Sequence, residues 1–429
     1  MTNFFKLKEN RTNIRTEVIA GITTFLTMVY IIIVNPAILS GVGIPFEQVF
    51  MATIISAALG TIIMAFFANY PIAIAPGMGL NAYFATVVGM EGLSYQIIFG
   101  TVFLAGILFI LLSLTKLRET LIAAIPPALK YGITAGIGLF IAFIGLRDAG
   151  IVQANDATLV TLGDLHQSMT LLSIVGLFII IALISLNVKG ALFIGMLVTG
   201  IIGFFTGHLK FDSVVSSPPA PVFFDIDIMG VFSHGLYGIV FVFLLVTLFD
   251  TTGTIIGVSE QAGLMKDGKL PRAKSALMAD AVATTTGAMF GTSPSSAYIE
   301  SSSGVSAGGR TGLTSLVVGL LFILSMFFSP IISAISSLPA ITAPVLIIVG
   351  CFMMEGLARV DWKKFDEAFP AFAIILTMPL TSSIATGIAI GFITYPLMNL
   401  LGGKGKEVHG LLYVFGIIFI IQMVFFPVH

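Results

Sequence analysis

Tyr70-Pro-Ile-Ala-Ile-Ala-Pro-Gly-Met-Gly-Leu-Asn81-Ala-Tyr-Phe84 cannot form one straight helix, although it lies in a strongly apolar part of the chain. Pro71 and Pro76 oppose helix, and Gly77 and Gly79 loosen the backbone. The reading is an extended stretch over Ile72–Ala75, then a helix from near Gly79 to about Met90. A second stretch has the same character: Gly291-Thr-Ser-Pro-Ser-Ser-Ala-Tyr298-Ile-Glu300-Ser-Ser-Ser-Gly304. Pro294 and the serines favour an extended lead-in, and a half-helix is expected from about Glu300 to Gly309. Such backbone is costly at membrane depth unless it faces protein or a wet cavity.

Composition makes lipid the setting. The chain is 57% hydrophobic and 10% charged, against about 25% charged in a soluble domain. The net charge of −1 leaves no basic footprint for nucleic acid. The single cysteine, Cys351, excludes an internal disulfide or a cysteine metal cluster and is expected to be a small core residue. Trp362, in a charged loop, reads as an interface anchor. No metal or cofactor is expected.

A bilayer core of about 30 Å needs roughly 20 apolar residues per helix. Fourteen candidate spans fall near 18–34, 48–69, 71–90, 96–114, 127–147, 170–187, 189–206, 235–252, 273–290, 291–309, 312–330, 337–356, 368–381 and 383–401. A further apolar run, 408–427, crosses again, re-enters or packs outside the bundle. Val18–Val34 is followed by Asn35-Pro36 rather than a small-residue cleavage site, so it reads as a retained span and not a signal peptide. With the N-terminus in the cytoplasm, 18 of the 20 Lys and Arg fall inside, among them Lys116, Arg118, Lys266 and Lys269. Only Arg147 and Lys210 fall outside, as the positive-inside rule requires. The expectation is a multi-pass plasma-membrane protein.

Seven spans per half forces opposite orientations, an inverted repeat. Met51-Ala52 with Gly60 recurs as Met278-Ala279 with Gly287, and Pro127-Ala128 recurs as Pro339-Ala340. The two interrupted spans fall third and tenth, at matching places. Their half-helix N-termini then converge at the midplane, where free N–H groups and dipoles meet. Paired interruptions of this kind point to a transporter binding site.

Three acids lie inside spans: Asp250, Asp280 and Glu300. A carboxylate at a helix centre in the bilayer costs at least about 2.5–3.5 kcal/mol, so each needs a reason. Glu300 either caps its half-helix or binds a ligand. Asp250, followed by Thr251-Thr252-Gly253-Thr254, is a hydrogen-bonded core acid or a ligand contact. Asp280, among Thr284, Thr285 and Thr286, reads as proton path or structural link. Asn81 offers both a donor and an acceptor, which suits a neutral heterocycle. Thr251 and Ser301 add hydroxyls beside the acids, while Tyr298 and Phe84 either stack on a planar ligand or pack. No Lys or Arg lies mid-membrane, so the acids suit a solute rich in N–H donors. Asp250, Glu300 and Asp280 are the candidate proton carriers for symport; Na⁺ coordination is the competing use.

On Ala75-Pro-Gly-Met-Gly-Leu-Asn-Ala-Tyr-Phe84, Leu248-Phe-Asp-Thr-Thr-Gly-Thr254, Gln261-Ala-Gly-Leu264 and Ala297-Tyr-Ile-Glu-Ser-Ser-Ser-Gly-Val305, the chain resembles the nucleobase–cation symporter-2 family. The likeness is to its AzgA-like purine permeases and runs essentially end to end. It implies an all-α, UraA-like fold of fourteen spans. Residues 1–115 and 234–330 would form a core domain, and 116–233 and 331–429 a gate domain. It implies uptake of guanine, hypoxanthine or adenine with a proton, and a homodimer through the gate domain. Asp250 and Glu300 match the acids that hold the base, and Asn81 matches a binding residue in span 3. Thr247 stands where some relatives carry a second acid. An intramembrane aspartyl protease is disfavoured, because no paired-acid motif occurs and Gly163-Asp164 is in a loop; no enzyme is expected. A channel or anion exchanger on the same fold would show flux without a proton gradient.

Overall fold

The structure is a computed structural model that describes residues 2–115, 121, 124–211, 213–265 and 270–425. Lys116, Arg118, Lys266 and Lys269 lie outside the described residues. The chain is mostly helical. Helices α1 (Ile14–Met28) and α2 (Ile31–Ser40) meet at a break at Val29-Tyr30, where the sequence predicts one uninterrupted span. Helix α3 (Phe46–Ile63) runs through a π-helical turn to Ala68. Strand β1 (Ile74–Pro76), α4 (Met78–Glu91) and α5 (Tyr95–Leu114) follow. Then come α6 (Pro127–Asp148), the hairpin β2 (Val152–Asn155) and β3 (Leu159–Leu162), α7 (Ser168–Ser185) and α8 (Ala191–Phe205).

The second half begins with α9 (Ile228–Ser233), α10 (Tyr237–Gln261) and α11 (Ala273–Phe290). Strand β4 (Ser295–Ala297), the short α12 (Ser301–Ser306) and α13 (Gly312–Ser325) come next. The chain ends with α14 (Ser329–Ser336), α15 (Pro339–Met353), α16 (Phe365–Leu380), α17 (Ile384–Leu401) and α18 (Gly410–Phe425). Nine helical segments among the described residues are long and apolar enough to cross a membrane, and two more, Ala191–Phe205 and Gly410–Ile421, are apolar but shorter. The chain is thus a multi-pass membrane protein.

Packing sorts the helices into two sets. In one, α1 lies along α13 and α12, α3 against α11 and α13, and α5 against α11 and α10. In the other, α6 packs on α15 and α16, and α16 on α17. The recurring Gly60 and Gly287 sit in the α3–α11 contact. A Cβ on Gly60 would lie 2.6 Å from Ala283 Cβ, and one on Gly287 3.0 Å from Ser56 Oγ. Ser56 and Ala283 each stand one turn before their own helix's contact glycine and touch the glycine of the other helix, so the contact is reciprocal.

The two interrupted stretches meet as an antiparallel pair, Ile74 opposite Ala297, Ala75 opposite Ser296 and Pro76 opposite Ser295. Each strand leads into a half-helix, as the sequence predicts. The strand sits at 74–76 rather than 72–75, because register with β4 selects it. Helix α12 stops at Ser306 rather than Gly309. Gly308 adopts φ +103° and Gly309 N–H bonds to Gly304 C=O at 3.0 Å, which closes the helix in a left-handed turn. Cys351, expected in the core, is exposed on α15. A helix apolar all round does not reveal which face is covered by protein.

Gly304 allows α12 to touch α1: a Cβ there would sit 2.0 Å from Thr24 Oγ1 and 2.7 Å from Ala20 C=O. Gly304→Ala is expected to cost about 1–3 kcal/mol by overpacking, seen as earlier thermal unfolding in detergent. Gly253→Ala, with nothing within 4 Å of the added carbon, should leave the transition unlowered.

Candidate substrate site

Two strands of three residues leave most of their backbone groups without a ladder partner, and at membrane depth no bulk water replaces it. Side-chain hydroxyls fill the gap. Thr61 of α3 accepts from Ile74 N–H and donates to Ile74 C=O, both at 2.9 Å. Thr284 of α11 treats Ser295 in the same way, at 3.1 Å from N–H and 3.4 Å from C=O. Ser315 Oγ lies 2.6 Å from Tyr70 C=O and 3.0 Å from Ile72 C=O. Gly77 N–H bonds to Pro294 C=O and Tyr298 N–H to Ala73 C=O, each at 2.9 Å, which extends the pairing beyond the strands.

The candidate ligand residues cluster around this crossing. Glu300 precedes α12, is half-buried, and makes no side-chain capping bond to that helix. Its Oε1 instead accepts from the Tyr30 hydroxyl at 2.5 Å, and its backbone carbonyl is 3.4 Å from Thr27 Oγ1. Asp250, half-buried on α10, reaches the Ser296 side chain of β4 and lies near enough to Glu300 for their charges to interact. Asp280 is buried. Thr251 donates to its Oδ2 at 2.5 Å and accepts from Ala297 N–H at 3.2 Å, while Oδ1 has no hydrogen-bond partner. The partner of Asp280 therefore comes from α10 and not from the neighbouring threonines: Thr284 is spent on β4 and Thr285 bonds to Ala281 C=O at 2.8 Å.

Asn81 lies buried in the first turn of α4; Ser293 Oγ donates to its Oδ1, and its Nδ2 has no partner. The Tyr298 hydroxyl donates to Pro76 C=O at 2.6 Å, tying the two interrupted stretches together. Ser301 Oγ accepts from Ala73 N–H at 3.0 Å. Phe84 is fully buried, its ring 5.1 Å from that of Phe99 and 6.5 Å from that of Phe243. Asp250, Glu300 and Asn81 thus bring polar groups to the crossing, whereas Tyr298, Ser301 and Thr251 bond within it and Phe84 packs behind it.

Around the two acids, Gly253 and Gly257 of α10 and Ile299 are exposed. A separate cavity of about 500 Å³ opens between α2, α4 and α6, with Ala82, Ala85, Phe140 and Arg147 on its walls. One turn below it, Gly79 meets Ile137 of α6: a Cβ on Gly79 would lie 2.3 Å from Ile137 Cγ2. Tyr30, Thr27 and Ser293 escape a reading of the sequence. The available signal for Tyr30 is that it is the one tyrosine within the apolar run 18–34.

Paired half-helices crossing beside acids, in a bundle of membrane helices, define a permease. Residues 15–390 match the family model Xan_ur_permease, the "Permease family", and the chain belongs to this nucleobase–cation symporter-2 family. It is 59% identical to the guanine/hypoxanthine permease PbuO of Bacillus subtilis, over 98% of this chain and 99% of that protein. It is 47% identical to the adenine permease AdeP of Escherichia coli, over 99% and 96% respectively. The transmembrane domain of a cyanobacterial bicarbonate transporter, BicA, shares the fold, with a TM-score of 0.69 and 16% identity over 88% of this chain and 97% of that one.

Thr251 is the link between Asp280 and β4. Thr251→Val keeps the shape but leaves both Asp280 oxygens and Ala297 N–H without partners. Unpartnered buried groups of this kind cost about 1–3 kcal/mol each, so a clear fall in thermal stability is expected in detergent, with Thr251→Ser close to the parent. Equal melting of the valine variant would contradict the link.

Proposed function

We propose that the chain takes up a purine nucleobase across the plasma membrane by proton symport, with guanine and hypoxanthine preferred to adenine. The observation that carries this reading is the β1–β4 crossing with Asp250 and Glu300 beside it. Carboxylates accept N–H groups, which a purine ring supplies, and among the described residues no Lys or Arg lies at the crossing to favour an anion. The PbuO and AdeP relatives, a guanine/hypoxanthine permease and an adenine permease, support the same substrate class. In this reading Glu300 and Asp250 accept ring N–H groups, Asn81 Nδ2 donates, and one of the acids carries the proton, with Asp280 behind them. Tyr298, Ser301, Thr251 and Phe84 shape the wall.

The architecture that goes with it is fourteen spans in two inverted halves of seven, with the N-terminus cytoplasmic. The reciprocal Gly60 and Gly287 contacts and the matched Thr61 and Thr284 braces support the inverted repeat. The first packing set, 1–115 with 234–330, is the core domain, and 116–233 with 331–429 the gate. The core moves against the gate to alternate access, and two copies associate through the gate.

Uptake of labelled guanine, hypoxanthine, adenine, xanthine and uracil into proteoliposomes tests the whole reading. Purines should accumulate only with an inward proton gradient. Glu300→Gln and Asp250→Asn should each abolish accumulation while the protein remains monodisperse. Accumulation driven by a sodium gradient alone would reassign the coupling ion. Gradient-independent flux would mark a channel or exchanger on this fold.

A further inference from the structure

Helix α1 runs the length of the short α12 and touches it at successive turns. Glu17 begins the series: its buried carboxylate accepts from Arg310 N–H at 2.9 Å, Thr314 N–H at 3.2 Å and Thr314 Oγ1 at 2.6 Å, just beyond the end of α12. Ala20 and Thr24 flank Gly304, with no room for a Cβ between the helices. Thr27 Oγ1 reaches Glu300 C=O, and the Tyr30 hydroxyl ends the series on Glu300 Oε1. Positions 17, 20, 24, 27 and 30 have the three- and four-residue spacing that lines one helix face. The face that fixes the backbone depth of α12 therefore also delivers a hydroxyl to its acid. Tyr30 is itself fully buried in the α1–α2 break.

We propose that Tyr30 is a positioning residue of the substrate site, holding Glu300 Oε1 so that Oε2 is the oxygen presented to a ligand N–H. The inference rests on the reading of Glu300 as a ligand-binding acid. A phenol suits the task because it both donates and accepts. It can therefore stay bonded to Glu300 whether that group is a carboxylate or a carboxylic acid, and the aim of the free oxygen survives a proton cycle. Phenylalanine fills the same space and does neither. The other titratable groups facing Glu300 are Asp250 from α10 and Tyr298 from the preceding turn.

The test is hypoxanthine uptake by the full chain in proteoliposomes. Tyr30→Phe should raise KM about tenfold or more, as loss of a hydrogen bond to a charged group does, and change the maximal rate far less. A KM within twofold of the parent overturns the proposal. A fluorinated tyrosine placed at position 30 keeps the ring and changes only the acidity of the hydroxyl. It should displace the pH profile of hypoxanthine KM; an unmoved profile overturns the proposal, and this variant decides if the phenylalanine form does not fold. Glu300→Gln run alongside separates the two readings. Normal uptake in that variant overturns the role of Glu300 itself, whereas its loss together with a silent Tyr30→Phe overturns only the role of Tyr30.

Discussion

Every main-chain N–H and C=O at membrane depth needs a partner supplied by the protein. In this chain that demand is sharpest at the two places where helices give way to strands, and the polar residues packed against the strands are explained by it. Thr61, Thr284, Ser301 and Ser315 satisfy strand or flanking backbone, and the Tyr298 hydroxyl closes the last carbonyl of β1. Near the crossing, the side chains of Asp250 and Glu300 and Asn81 Nδ2 are polar groups not spent on the strand backbone, and these are the groups on which the proposed binding site draws.

Much of this was legible from residue order. Prolines and glycines at 71–79 and proline with serines at 291–296 fix where helix fails, because ring closure and missing Cβ atoms act locally. Charges in loops mark the membrane nature of the chain for an equally local reason. The partners were not legible. Asp280 sits beside three threonines in sequence, yet its hydrogen bond comes from Thr251 on another helix. Glu300 reads as a cap or a ligand contact, and nothing in the sequence joins its carboxylate to Tyr30, 270 positions away. Burial was equally opaque for Cys351, since in an apolar helix both the covered and uncovered faces carry the same residue types.

Helix α1 shows how a single element can serve assembly and chemistry together. Its Glu17 end accepts the free donors at the start of α13, in the way an N-cap does but from a distant part of the chain. Its Tyr30 end meets the acid at the start of α12. A half-helix of six residues has little stability of its own; it is held by the neighbour it lies on. The break at Val29-Tyr30 gives the chain a new direction there, and α2 leaves toward α3 and α4.

Gly79 of α4 and Ile137 of α6 meet one turn below the cavity between α2, α4 and α6. Any displacement that opens α4 from α6 at this level has to part these two residues. Doing so also withdraws an aliphatic wall from the start of α4. The spacing of α4 and α6 is thus set by one van der Waals contact, a missing Cβ against an isoleucine, and added bulk at either position alters how closely the two helices lie.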